Sequence, residues 1–164
     1  MDEEWKRALS GFDAVWQRVS PRESGLIPAE PKQSGEGQLR DFLAAEAART
    51  AYYSAVARTA DGRCAEMLRS LSADCGKCTQ KLKTEYFLLT GETWTAAPKR
   101  LQTDGLLGYL RRAYLTEEAA ARHYGEAAAE TENETLRTLY AELAECCTRR
   151  RESVRALVCR IMIA

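Results

Sequence analysis

Six side chains that could do chemistry recur at matching depth in four long helical patterns: Glu46, Cys75, Cys78, Glu117, Cys147 and Arg150. Carboxylates and thiolates are metal ligands, thiols can also be oxidised, and arginine can bridge two carboxylates. Three kinds of centre are therefore open: a metal site, a thiol redox site, or a buried salt-bridge cluster that catalyses nothing.

The metal interpretation combines three sulfur ligands with one carboxylate. Cys75, Cys78 and Cys147, with Glu46 or Glu117, would suit zinc, copper(I) or iron. Against it, Arg150 would put a cation beside the metal. A single Cys-x-x-Cys is also not the paired pattern of a zinc ribbon.

The redox interpretation rests on Cys75-Gly76-Lys77-Cys78, which has the spacing of disulfide oxidoreductases. Lys77 could lower the pKa of a neighbouring thiol. In those enzymes the motif opens a helix, whereas here it would lie in mid-helix and face a core. A slow redox sensor fits this placement better than an oxidoreductase-like enzyme.

The salt-bridge interpretation starts from Glu46 and Glu117, which would repel each other if both were buried and unpaired. The guanidinium of Arg150 offers a fork of donors that can bridge both carboxylates. Small cysteines would fill the remaining space. Tyr53 and Tyr124 are expected near the centre, either as site residues or as aromatic core residues. We take the salt-bridge cluster as the leading interpretation.

Four helices are predicted to position these residues, at about 38–59, 63–90, 105–130 and 133–162. The apolar stripe of the second helix runs from Cys64 to Leu89, and that of the third from Leu107 to Ala128. Expected caps are Asp61, Gly91, and Asn133 or Thr131. The predicted fold is all-α, a four-helix bundle, with residues 91–104 long enough to cross along it.

Three regions are predicted along the chain: an N-terminal arm at 1–22, a linker at 23–37 and the bundle at 38–164. The arm carries an amphipathic helical pattern at 4–19, formed by Trp5, Leu9, Phe12, Trp16 and Val19. We expect it to cover one flank of the bundle. The alternative is a docking peptide for a protein partner, anchored by its tryptophans.

Composition narrows the function classes. The 164 residues carry 24 Lys+Arg and 24 Asp+Glu, so the zero net charge gives no reason to expect nucleic acid or an anionic membrane. The acidic N-terminus has no apolar signal core, which predicts a cytoplasmic protein with reduced cysteines. Such a bundle can pair through its exposed helix faces, so a homodimer is compatible with the predicted fold.

The spacing also reveals a repeat. Tyr follows Glu by seven residues at Glu46 and again at Glu117, and each pair is followed by a two-residue motif: Cys75 with Cys78, and Cys147 with Arg150. Internal duplication of a helix pair explains this. The pattern resembles the rubrerythrin branch of the ferritin-like superfamily over 38–162. The segments Leu71-Ser72-Ala73-Asp74, Tyr86-Phe87-Leu88-Leu89-Thr90-Gly91-Glu92 and Leu110-Arg111-Arg112-Ala113-Tyr114 also agree.

The resemblance implies a ferritin-like bundle with a di-iron centre, held by one Glu from each of two helices and Glu-x-x-His from each of the others. Glu46 and Glu117 occupy the single-Glu positions. Cys75 and Cys78 stand where the first Glu-x-x-His is expected, and Cys147 and Arg150 where the second is expected. A functional di-iron centre is therefore not expected; zinc, iron or no cofactor are the alternatives.

Overall fold

The computed structural model describes residues 35–97 and 105–164, which form four helices. These are α1 (Gly35–Thr59), α2 (Gly62–Thr90), α3 (Leu106–Glu130) and α4 (Glu134–Ile163). Within those two ranges the backbone contains no β-strand. The all-α four-helix prediction is confirmed, and α1 begins at Gly35 instead of residue 38. The arm at 1–22 and its predicted contacts lie outside the described residues.

Helix termini follow the local sequence with one exception. Asn133 caps α4, since its side chain accepts a hydrogen bond from the Leu136 backbone N–H at 3.1 Å. Gly91 ends α2 in the left-handed region at φ 73° and donates its N–H to the Phe87 carbonyl at 2.7 Å. Asp61 precedes α2 with extended backbone, but its side chain makes no capping hydrogen bond.

Helix directions follow from the connections and from two long-range hydrogen bonds. The connections of α1 to α2 and of α3 to α4 are short, and these two pairs make the most extensive contacts. Tyr53 bonds Glu117 and Tyr124 bonds Glu46, so residue numbers rise along α1 while they fall along α3. Because α1 is antiparallel to both α2 and α3, α2 and α3 run parallel.

One hydrophobic cluster contains buried residues from all four helices and packs the two hairpins together. It contains ten buried residues: Tyr53, Val56, Ala57, Leu68, Leu71, Cys75, Leu110, Ala113, Val154 and Leu157. Two predicted stripe residues near helix ends are not buried, since Leu89 is 48% exposed and Leu107 is 44% exposed. The apolar seam is therefore shorter than the sequence pattern predicts.

None of the four described helices has the length and apolar character needed to cross a membrane.

Candidate functional site

Arg150 lies at the centre of the bundle and reaches carboxylates from both hairpins. Its Nε donates to Glu117 Oε1 at 3.0 Å, and its Nη2 donates to Glu46 Oε1 at 3.2 Å and Oε2 at 3.4 Å. Both glutamates are fully buried and Arg150 is 2% exposed. The guanidinium therefore makes the bridge between the two carboxylates that its donor geometry suggested.

A second buried arginine, Arg49, completes the charge balance, and the sequence analysis missed it. It is 4% exposed, and its Nη2 donates to Glu46 Oε1 from one helical turn away. Two carboxylates and two guanidiniums then sum to zero formal charge. In the second hairpin the corresponding position is Ala120, which is also buried.

Electrostatics favour the ionised forms of Glu46, Arg49 and Arg150. Burial opposes ionisation of Glu46, but Arg49 and Arg150 outweigh it and hold the pKa of this carboxyl below its usual value. Burial alone would lower the pKa of Arg150, yet Glu46 and Glu117 raise it well above its usual value. The pKa of Arg49 is raised in the same way and by the same two carboxylates.

Two tyrosines connect the hairpins in a reciprocal way. Tyr53 of α1 donates its hydroxyl proton to Glu117 Oε1 of α3 at 2.8 Å, and Tyr124 of α3 donates to Glu46 Oε1 of α1 at 3.0 Å. Burial and the neighbouring carboxylate raise the pKa of each tyrosine, so each hydroxyl remains a donor. Residues at equivalent positions of the two hairpins therefore exchange equivalent hydrogen bonds.

Two thiols contact the guanidinium of Arg150, and the third of the predicted cysteines is fully buried. Arg150 Nη1 donates to Cys78 Sγ at 3.4 Å and its Nη2 to Cys147 Sγ at 3.2 Å. Cys75 is buried in the same core and is electrostatically coupled to Arg150. Burial raises the pKa of all three thiols, that of Cys78 to about 11, so all are protonated near neutral pH.

The polar cluster is not fully satisfied. Among the described residues, Arg49 Nε and Nη1, Glu117 Oε2 and the Tyr140 hydroxyl are buried without a hydrogen-bond partner. Unsatisfied buried polar groups carry a desolvation cost. The cluster therefore stabilises a particular arrangement of the hairpins less efficiently than an apolar core of the same volume would.

Four of the five predicted metal ligands accept hydrogen bonds from Arg150. No group of three or more His, Cys, Asp or Glu side chains within 35–97 and 105–164 has a metal-binding arrangement. His123, the single histidine of the sequence, lies in α3 with its Nδ1 3.6 Å from a carboxylate oxygen of Glu126. What these contacts do chemically is neutralise and immobilise two buried carboxylates.

We expect the Tyr53→Phe and Tyr124→Phe variants each to lose about 1.5–3 kcal/mol of unfolding free energy. Each loses a hydrogen bond to a buried charged group. Urea unfolding followed by circular dichroism measures the effect. Tyr140→Phe is the matched control, because its buried hydroxyl has no partner in the described structure. It should be neutral or slightly stabilising, and equal losses in all three variants would contradict the assigned bonds.

Comparison with known proteins adds no assignment, since no family model, no curated protein and no solved structure matches this chain.

Proposed function

We propose that this chain is a rubrerythrin-related, ferritin-like bundle whose centre is held together by salt bridges in place of di-iron ligands. In this proposal it is a structural or interaction protein and does not carry out di-iron catalysis. Its predicted homodimer, and the protein partner predicted for the N-terminal arm, belong to the same hypothesis. The main support is the placement of Arg150 between Glu46 and Glu117.

The relation to the ferritin-like superfamily is supported by topology as well as by motifs. Two similar hairpins contribute equivalent glutamates and tyrosines, and α2 runs parallel to α3. Parallel second and third helices are what a long crossover connection produces in ferritin-like bundles. A simple up-down-up-down bundle would instead make these two helices antiparallel.

The alternative of a metal centre at Glu46, Cys75, Cys78, Glu117 and Cys147 has less physical support. Zinc or iron would need deprotonated thiols, and burial opposes deprotonation of all three. A divalent cation would also have to displace or repel Arg49 and Arg150, which already neutralise the carboxylates. The residues present therefore fit an internal salt-bridge cluster better than a metal.

Metal content tests the proposal directly. The full chain, purified without oxygen and without a metal-affinity column, should contain zinc and iron far below one ion per chain by elemental analysis. Added Zn²⁺ or Fe²⁺ should leave its melting temperature unchanged, since a ligand that binds the native state would raise it. A stoichiometric metal that disappears in the Cys75→Ser/Cys78→Ser variant would overturn the proposal and favour a remade metal site.

A rebuilt variant provides the positive control. Cys75→Glu, Cys78→His, Cys147→Glu and Arg150→His restore both Glu-x-x-His motifs, and Arg49→Ala removes the extra cation. This variant should gain iron binding that the natural sequence lacks, because it recreates the six-ligand set. A folded variant that binds no iron would argue against the ferritin-like origin, but it would not affect the salt-bridge interpretation of the natural protein.

A further inference from the structure

Two cysteines, Cys78 of the central cluster and the half-buried Cys146, belong to α2 and α4, which contact each other along a seam. Lys81 Nζ and Glu142 Oε2 form a 2.8 Å salt bridge across this seam. Because α1 is antiparallel to both α2 and α3, and α3 to α4, α2 and α4 also run antiparallel. The salt bridge therefore places the turn of α2 that carries Lys81 beside the turn of α4 that carries Glu142.

Cys78 and Cys146 lie one helical turn farther along the same seam. Cys78 precedes Lys81 by three residues and Cys146 follows Glu142 by four. Residues three or four apart share a helix face, and in antiparallel helices these two steps go in the same direction. The two cysteines therefore oppose each other, next to the salt bridge.

Electrostatic coupling agrees with this placement. The pKa of Cys78 is raised mainly by burial and by Glu46, and Cys146 also contributes to the increase. Both sulfurs also act on Lys81, whose pKa is raised first by its hydrogen bond to Glu142. Cys146 acts on Cys78, and both act on the same lysine, so the two thiols lie in one neighbourhood.

The two thiols differ in access. Cys146 is half-buried, and Arg149 Nη2 donates a hydrogen bond to its Sγ at 3.0 Å. A partly exposed sulfur beside a cation is the environment typical of reactive cysteines. Cys78 is 4% exposed, so it is shielded from solvent.

We propose that Cys146 and Cys78 form a redox-active pair that a hydroperoxide converts into a disulfide across α2 and α4. The Cys146 sulfur attacks the peroxide oxygen, the O–O bond breaks, and Cys146 sulfenic acid and an alcohol (or water) form. The Cys78 sulfur then attacks the sulfenic sulfur, an S–S bond forms, and water leaves with the Cys78 proton. Two thiols are oxidised by two electrons, and one peroxide is reduced.

The other cysteines are less suited to this step. Cys75 and Cys147 are 0% exposed, so an oxidant in solvent cannot reach them without opening the bundle. Cys64 and Cys159 lie near helix ends, far along the chain from the Lys81–Glu142 salt bridge. The pair proposed here also differs from the Cys75–Cys78 motif, which places both sulfurs on one helix.

The disulfide would covalently join the two hairpins, because Cys78 belongs to the first and Cys146 to the second. Such a bond restricts the unfolded chain over a long loop. The oxidised protein should therefore melt about 5–15 °C higher than the reduced protein. Dithiothreitol should reverse the change.

Peptide mapping tests the proposal. The reduced full-length chain is treated with an equivalent of hydrogen peroxide, alkylated in denaturant and digested with trypsin. Cleavage after Lys77 separates Cys75 from Cys78, so the expected product links peptide 78–81 to peptide 138–149. Fragment ions that separate Cys146 from Cys147 identify the linked sulfur.

Matched variants complete the test. Cys146→Ser, at a half-buried position, should abolish the linked peptide and the rise in melting temperature. Cys159→Ser, at an exposed position, should change neither. A linked peptide that persists in Cys146→Ser, a bridge through Cys75, Cys64 or Cys159, or oxidation without any intramolecular bridge would overturn the proposal.

Discussion

Replacing Arg150 with alanine is expected to lower the free energy of unfolding by about 3–5 kcal/mol, as measured by urea denaturation at neutral pH. The guanidinium bonds Glu117 through Nε and Glu46 through Nη2, and both carboxylates are fully buried. Without it, Glu117 keeps Tyr53 as a donor but loses its bridging cation. An ionised carboxylate left unpaired in that position is strongly destabilising, and this cost adds to that of the space left by the side chain.

Two controls separate the effect of the lost buried charge from that of the lost side-chain volume. Arg155→Ala removes an exposed arginine from the same helix and should change stability by less than about 0.5 kcal/mol. Adding Glu117→Gln to Arg150→Ala removes the stranded charge and should recover part of the loss. If Arg150→Ala behaves like Arg155→Ala, the buried bridge contributes nothing and the salt-bridge interpretation is wrong.

Replacing Glu46 with glutamine is expected to cost about 3–5 kcal/mol at neutral pH, although the side chain keeps its shape. Glu46 accepts hydrogen bonds from Arg49, Arg150 and Tyr124. The neutral amide would leave two buried guanidiniums with Glu117 as the remaining buried carboxylate of the cluster. Two like charges would then face each other in the core.

The same loss should occur in the natural protein when Glu46 is protonated. Its pKa in the folded state is below the usual value, because Arg49 and Arg150 outweigh burial. The unfolded chain therefore binds this proton more tightly than the folded protein does. The stabilisation by Glu46 is complete above the unfolded pKa of about 4.3, and it is lost as the pH falls through the lower folded pKa.

Unfolding measured from pH 7 down to pH 2 tests this dependence. The difference between the natural protein and Glu46→Gln should be largest at neutral pH and should shrink in acid. Glu145→Gln, at an exposed position on α4, should follow the natural protein throughout. A constant difference between Glu46→Gln and the natural protein at every pH would mean that packing, not charge, causes the loss.

Much of the site could be predicted because its residues repeat. The seven-residue step from Glu46 to Tyr53 and from Glu117 to Tyr124 indicated equivalent positions, and the reciprocal hydrogen bonds join those residues. Arg150 stood out because a charge interrupts an apolar stripe. The four helices could be recognised because Gly91 and Asn133 have the local chemistry of helix caps.

The rest depended on information that a stripe does not contain. Arg49 lies beside the stripe of α1, where an arginine normally extends into solvent, and its counterpart Ala120 gave no hint of a charge. The pairing proposed for Cys146 and Cys78 could not be predicted either, because it depends on how α2 and α4 are aligned. Leu89 and Leu107 continue the apolar pattern beyond the point where the facing helices can cover them.

The distribution of charge between the hairpins has a consequence for the order of folding. The first hairpin carries Glu46 with Arg49, and the second carries Glu117 with Arg150, so each hairpin is neutral at its inner face. Each also forms from residues close in sequence, which favours rapid local assembly. When the hairpins dock, they remove pre-formed ion pairs from water instead of isolated charges. Docking of the two hairpins therefore avoids the electrostatic barrier that an unpaired carboxylate on each hairpin would impose.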